Sequence, residues 1–202
     1  MKNIVVVFLM MLPLVVFSEE APSYMSDILR SRIKDVQVLA SNEVLVRSVE
    51  AQNAEHLDMS EIMKRDDAWR KGDSELFFQQ LQSEAGKKLK EFVNTTSMYS
   101  ESILMDSLGA NVAVFPGTSD YWQGDEANFV ETYDNGLGKT FIENLKYDES
   151  TRVFSVDIGV PVKSENRTIG ALIVGVKWKD FAHDERAKHI IFDLVIDALQ
   201  TN

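Results

Sequence analysis

Apolar residues recur at helical spacing through the first half of the chain, and the second half turns to strand-sized runs bounded by Gly, Asn and Pro. Met25, Ile28, Leu29, Ile33, Val36 and Leu39 keep a helical period over residues 23–39, directly after Pro22. Asn42 can cap a second helix carrying Val44, Leu45, Val49 and Ala51. A third short helix is predicted from Ser60 to Trp69, with Gly72 as its stop. A fourth starts at Ser74 and runs through Leu76, Phe77, Leu81, Leu89 and Phe92 to the polar run 94–97. From there the pattern reads as strands at 101–106, 111–115, 153–162 and 168–177, bounded by Gly, Asn and Pro. Between the second and third lie a short helix at 125–133, a Gly-rich turn at 135–138 and a further strand at 140–146. A last helix at 180–200 presents Phe181, Ile190, Ile191, Leu194, Val195 and Leu199 on one side. Helices first and a meandering sheet second predict an α+β architecture, not an alternating parallel one.

The first residues read differently. Lys2 precedes an apolar run over 4–17, and Val16-Phe17-Ser18 offers a small-residue cleavage site before Glu19. That run is shorter than the roughly 20 apolar residues of a spanning helix, so a cleaved export signal is expected rather than an anchor. The ~180 residues that follow suit one domain with its own core. The expected organisation is a signal peptide at 1–18, a helical region at 19–98, a sheet core with the pocket at 99–179, and a C-terminal helix at 180–202. Cysteine is absent, which points away from disulfide-stapled secreted scaffolds and towards a periplasmic protein. The formal net charge of -11 excludes a nucleic-acid or anionic-membrane surface, and no basic stripe offsets it.

One segment stands out chemically. Thr118-Ser119-Asp120-Tyr121-Trp122-Gln123-Gly124-Asp125-Glu126 sets two adjacent aromatics among three carboxylates, after a Pro116-Gly117 turn signal. Rings bury a ligand and fixed charges orient it, which is what a small-molecule pocket needs. The same rings could instead cap a core beside a solvated acidic turn. Asp120, Asp125 and Asp148 could pair with an ammonium group, Ser150 could add a hydroxyl, and Tyr121 and Trp122 could hold an alkylated amine by cation–π attraction. Each has a plainer alternative. Asp148 and Ser150 fit a turn, Asp125 fits a helix N-terminus, and Asn111 fits a hairpin entry. Asp120, Asp125 and Glu126 offer hard oxygen ligands to calcium, but their spacing is not that of an EF-hand loop. With no Cys, and with His56, His183 and His189 dispersed, no metal and no cofactor is expected. No nucleophile elbow, phosphate loop or zinc motif is present, and Gly136-x-Gly138 reads as a turn, so catalysis is not expected.

Taken together, Asp106-Ser107-Leu108-Gly109-Ala110-Asn111-Val112, the TSDYWQGDE block, Asp148-Glu149-Ser150-Thr151, Val160-Pro161-Val162 and the run IGALIVGV at 169–176 resemble a Cache (PDC, PAS-like) sensor domain over residues 25–180. The resemblance implies a long helical entry packed on a five-stranded antiparallel sheet, extracytoplasmic ligand sensing and no catalysis. In many Cache domains an Arg precedes the aromatic pair and grips a ligand carboxylate. Here Ser119 and Asp120 stand at the matching positions, and Asp120 would repel an anion. An amine or a neutral polar ligand is then the better expectation, with a metal cation a lesser alternative. No output module follows within these residues, so a membrane receptor or kinase in trans is the expected partner. The alternative is a non-sensing interaction or assembly protein that keeps the fold. The N-terminal helices could also form a homodimer with Met25, Ile28 and Val36 partly at its seam, but the same spacing fits ordinary core packing, which is the better expectation.

Overall fold

The computed structural model describes residues 23–72, 74–143, 146–148 and 153–178. The signal segment, Ser150 and the C-terminal helix expected at 180–202 lie outside the described residues.

Helix α1 (Ser23–Ala40) turns one stripe inward, with Leu29, Ile33, Val36 and Leu39 at most 6% exposed. Burying side chains of that size is worth about 1.5–3 kcal/mol each relative to leaving them in water. Val36, for which the sequence favoured core packing over a dimer seam, is fully buried in the chain's own core. Helix α2 (Glu43–Asn53) begins where Asn42 accepts the Val44 amide at 3.0 Å. Helix α3 (Met59–Arg70) is capped one residue earlier than predicted, by Asp58 on the Glu61 amide. Gly72 follows it with φ +84°, a left-handed stop.

The predicted fourth helix is two. α4 (Ser74–Gln82) ends at Ser83, which then caps α5 (Glu84–Val93) by accepting the Gly86 amide at 2.9 Å. Gly86 meets the end of α4 so closely that a Cβ would lie 2.6 Å from the Leu81 carbonyl oxygen. The apolar period runs straight through this corner, which is why it reads as one helix.

Strands β1 (Tyr99–Met105), β2 (Asn111–Phe115), β5 (Val153–Ser164) and β6 (Arg167–Trp178) form an antiparallel sheet in the order β2-β1-β6-β5. The fifth position is shared by two pieces, β3 (Phe141–Ile142) and β4 (Lys146–Asp148), both paired with β5. The sequence expectation of one strand over 140–146 thus resolves into two. β5 and β6 join through Glu165 and Asn166, whose φ values of +47° and +63° are those of a two-residue type I′ hairpin.

Alternation sends Leu104, Val156, Ile158, Leu172, Val174 and Val176 into the core under α1, α2 and α5. The opposite face carries Met105, Ala171 and Ile173 against Phe129 of α6 (Ala127–Tyr133). A third cluster joins α3 and α4 to the loop after β2: Ile62, Trp69, Ala110, Val114 and Tyr121, with Phe77 beside them. This α+β arrangement, helices on a meandering antiparallel sheet, is the one the residue pattern predicted.

Candidate functional site

The loop 116–126 begins with a cis Phe115-Pro116 bond and lies between α3 and the β1–β2 turn. One buried carboxylate holds the loop and a second shapes the turn it pairs with. Asp66 of α3, 6% exposed, accepts the Tyr121 and Trp122 amides on one oxygen at 2.9 and 3.0 Å. Its other oxygen takes Arg70 Nε at 2.9 Å, and Arg70 Nε also reaches Asp120 Oδ1 at 3.0 Å. Across the loop, Asp106, 3% exposed, shapes the β1–β2 turn by accepting the Leu108 and Ala110 amides at 2.8 and 2.9 Å. Gln52 Nε2 closes that group at 2.8 Å on its second oxygen. Gly109, at φ +80°, lets this turn lie against Gly124, where a Cβ would come within 2.5 Å of the Gly124 Cα.

The residues singled out from sequence fall as follows. Tyr121 is fully buried, 5.9 Å from the Trp69 ring, and burial pushes its phenol above the usual range. The Arg65 guanidinium opposes that rise electrostatically, without the alignment of a hydrogen bond. Trp122 is half-buried; its indole N–H donates to Leu108 O at 2.8 Å and its ring lies over the Gly124 backbone. Asp120 faces Arg70. Asn111 is buried and donates through Nδ2 to Asp120 O at 2.8 Å, while its own carbonyl accepts from Gln80. Asp125 is exposed in the turn before α6. Asp148 pairs through its backbone with Val153, and its side chain lies outside the described part. The loop residues therefore converge on one another and on α3.

A cavity of about 60 Å³ lies next to them, between the α6 side of the sheet and the end of the loop. Ile103, Met105, Phe129 and Ile173 supply its apolar surface. Glu101 of β1, Glu126 at the α6 N-cap and Asp157 of β5 bring three carboxylates to its wall. Gln123 and Asn128 add amides, and Asn128 Nδ2 reaches Glu143 Oε2 at 3.0 Å and Asp157 Oδ2 at 3.2 Å. Among the described residues, no Arg or Lys lines this wall. No group of three metal-ligating side chains gathers there or elsewhere in the described part.

The TSDYWQGDE block thus reaches the cavity through Gln123 and Glu126, which were not singled out as ligand contacts. Asp157 and Glu101 were missed too. In β5 the face of Val156, Ile158 and Val160 is apolar, and Asp157 shares the other face with Ser155 and Lys163, where it reads as an ordinary solvent-facing position. Asp66 gave no signal, because a charged residue in a helix reads as solvent-facing.

No family model matches the chain, and no curated protein sequence does. Solved structures do. The extracellular domain of vpHK1S-Z8 aligns over 76% of this chain and 52% of its own, at 9% identity and a TM-score of 0.42. The ligand-binding domain of the Pseudomonas aeruginosa amino-acid chemoreceptor PctC, in complex with GABA, aligns over 78% and 61%, at 12% identity and a TM-score of 0.40. The sensory domain of the Campylobacter jejuni chemoreceptor Tlp3, with isoleucine bound, aligns over 77% and 63%, at 16% identity and a TM-score of 0.35. These neighbours are sensory or ligand-binding domains, and the chain spans 52–63% of their lengths. At TM-scores this low the likeness carries no argument about ligand or partner. Among the described residues, no helix is long and apolar enough to cross a membrane.

Proposed function

We propose that this chain is an extracytoplasmic sensor domain that binds the cationic head of a small molecule and signals through a separate partner, with no catalysis of its own. The observation that carries this reading is the cavity wall, where Glu101, Glu126 and Asp157 and the amides of Gln123 and Asn128 gather over an apolar floor, with no arginine or lysine among the described residues of the lining. Such a wall attracts an ammonium or guanidinium group and repels a carboxylate. About 60 Å³ is the room of two water molecules, enough for a charged head group but not for a whole amino acid. The head therefore enters between Glu101 and Asp157, and the rest of the ligand lies at the mouth beside Gln123 and Glu126. Asp120, Trp122 and Asn111 act on the ligand through the loop they brace.

A second reading is favoured by the same small volume. An interaction or assembly protein that keeps this fold without a ligand would fill its interior, as Trp69, Phe77 and Tyr121 fill the space under the loop. A thermal-shift panel of diamines, polyamines, quaternary amines, amino acids and organic acids separates the two, because a ligand selective for the folded state raises its stability. Sensing predicts upward shifts confined to cation-bearing members. A flat panel supports the assembly reading, and a shift with organic acids alone refutes the cationic assignment.

A further inference from the structure

Helix α3 makes four polar contacts with the loop that supplies one wall of the cavity. Trp69 Nε1 donates to Thr118 O at 3.0 Å, Arg70 holds Asp120, and Asp66 takes the two successive amides of Tyr121 and Trp122. The next residue is Gln123, which lines the cavity, and Glu126 follows three positions later. We propose that Asp66 is the positioning residue of this wall, and that α3 is the element whose movement opens or closes the cavity. The significance of this rests on the sensor reading above; the clasp itself does not.

The physical case is specific to Asp66. A buried carboxylate is stabilised when each of its oxygens is matched by donors, and here one oxygen serves two amides while the other serves a guanidinium. Both amides belong to consecutive residues, so the carboxylate fixes the direction of the chain as well as its place. Its removal orphans two backbone donors, one on the fully buried Tyr121, and leaves Arg70 with Asp120 alone. The loop would still be tied to the β1–β2 turn through Asn111 N to Tyr121 O at 2.9 Å and Gln123 N to Gly109 O at 2.8 Å. The predicted result is local loosening on the α3 side. Coupling between two sites is reciprocal, so a ligand that draws in Gln123 and Glu126 must also tighten α3, and a partner that shifts α3 must change the cavity.

The chain has no cysteine, so a single introduced thiol reports local opening cleanly. Ile103→Cys places it on the cavity floor, and Val174→Cys places it on the opposite, helix-covered face of the sheet. The rate of iodoacetamide labelling of the full chain is measured for each, with and without Asp66→Ala. Losing a charged acceptor for two buried amides predicts labelling at Ile103→Cys faster by roughly ten- to a hundredfold, with Val174→Cys changed less than about threefold. Asp66→Asn, which keeps an acceptor oxygen, gives an intermediate rate. Equal rates at Ile103→Cys, or equal acceleration at both thiols, overturns the proposal. If Asp66→Ala does not fold, Arg70→Ala is read the same way, with a smaller selective rise supporting the clasp and none overturning it. No ligand enters this assay, so a failed search for cation binding leaves its outcome untouched.

Discussion

Replacing Gly159 with alanine is expected to push α6 away from β5, and the structure says how far the effect reaches. A Cβ built on Gly159 would overlap Thr132 Oγ1 outright and would stand 3.1 Å from Ile173 Cδ1 and 3.2 Å from Thr132 Cβ. Thr132 is fully buried on α6, the helix that covers the cavity side of the sheet. Overpacking a site of this kind costs about 1–3 kcal/mol, or a Tm lower by very roughly 3–10 °C for a chain of this size. The Thr132 hydroxyl has no hydrogen-bond partner, so Thr132→Ala alone is expected to stay within about 1 kcal/mol of the parent. In that background the contacts left to the new Cβ are the 3.1 Å one to Ile173 and the 3.2 Å one to residue 132, and both neighbours can yield slightly. Alanine also restricts the unfolded chain more than glycine does, a gain of about 0.4–1 kcal/mol. Gly159→Ala should therefore turn from clearly destabilising to near neutral when Thr132 is alanine, a coupling of about 1 kcal/mol or more. Urea unfolding of the four proteins of the cycle measures it. Strict additivity would refute the claim that α6 rests on β5 through this contact.

Two further outcomes follow from the buried polar groups. Burial holds the Tyr121 and Tyr99 phenols above their ordinary range, so above about pH 10 the unfolded chain loses protons that the folded chain keeps, and stability must fall with rising pH. Tyr121→Phe removes its share of that loss and leaves the neutral-pH stability within about 1 kcal/mol, since the hydroxyl has no hydrogen bond to lose. Urea midpoints between pH 8 and 11 check it, and an unchanged alkaline slope contradicts it. Asp106→Ala is expected to cost about 2–4 kcal/mol, because it strips the acceptor from two turn amides and from Gln52. A change below about 0.5 kcal/mol in the same assay would show that water replaces the carboxylate.

The strands and most of the helices were legible because burial here follows simple periods. The α1 stripe from Leu29 to Leu39, the apolar face of β5 and the continuous apolar run of β6 each lie buried in the sheet or under the helices. The break at Ser83 was not legible, since the apolar spacing continues across it and only the close approach of Gly86 to α4 demands a corner. The loop near the cavity was legible as a feature, through its density of aromatics and carboxylates. Which of its side chains face the cavity was not. Rings as large as Tyr121 are drawn into the core beside Trp69, and this directs Gln123 and Glu126 to the cavity instead. The carboxylates of the opposite walls come from strands, where Asp157 and Glu101 are polar positions among others and their meaning depends on what α6 covers. Asp66 shows the same limit, because only the tertiary fold brings two loop amides to a helix surface.

The central claim is that three wall carboxylates select a cationic head group, and isothermal titration of spermidine and of succinate into the full chain and its Asp157→Asn variant tests it most directly. The account predicts that spermidine binds the parent, that raising the salt concentration weakens it, and that Asp157→Asn lowers the affinity by roughly tenfold or more while the fold is retained. It also predicts no heat of binding for succinate. Binding of succinate in place of spermidine, or spermidine affinity indifferent to Asp157→Asn, would contradict it.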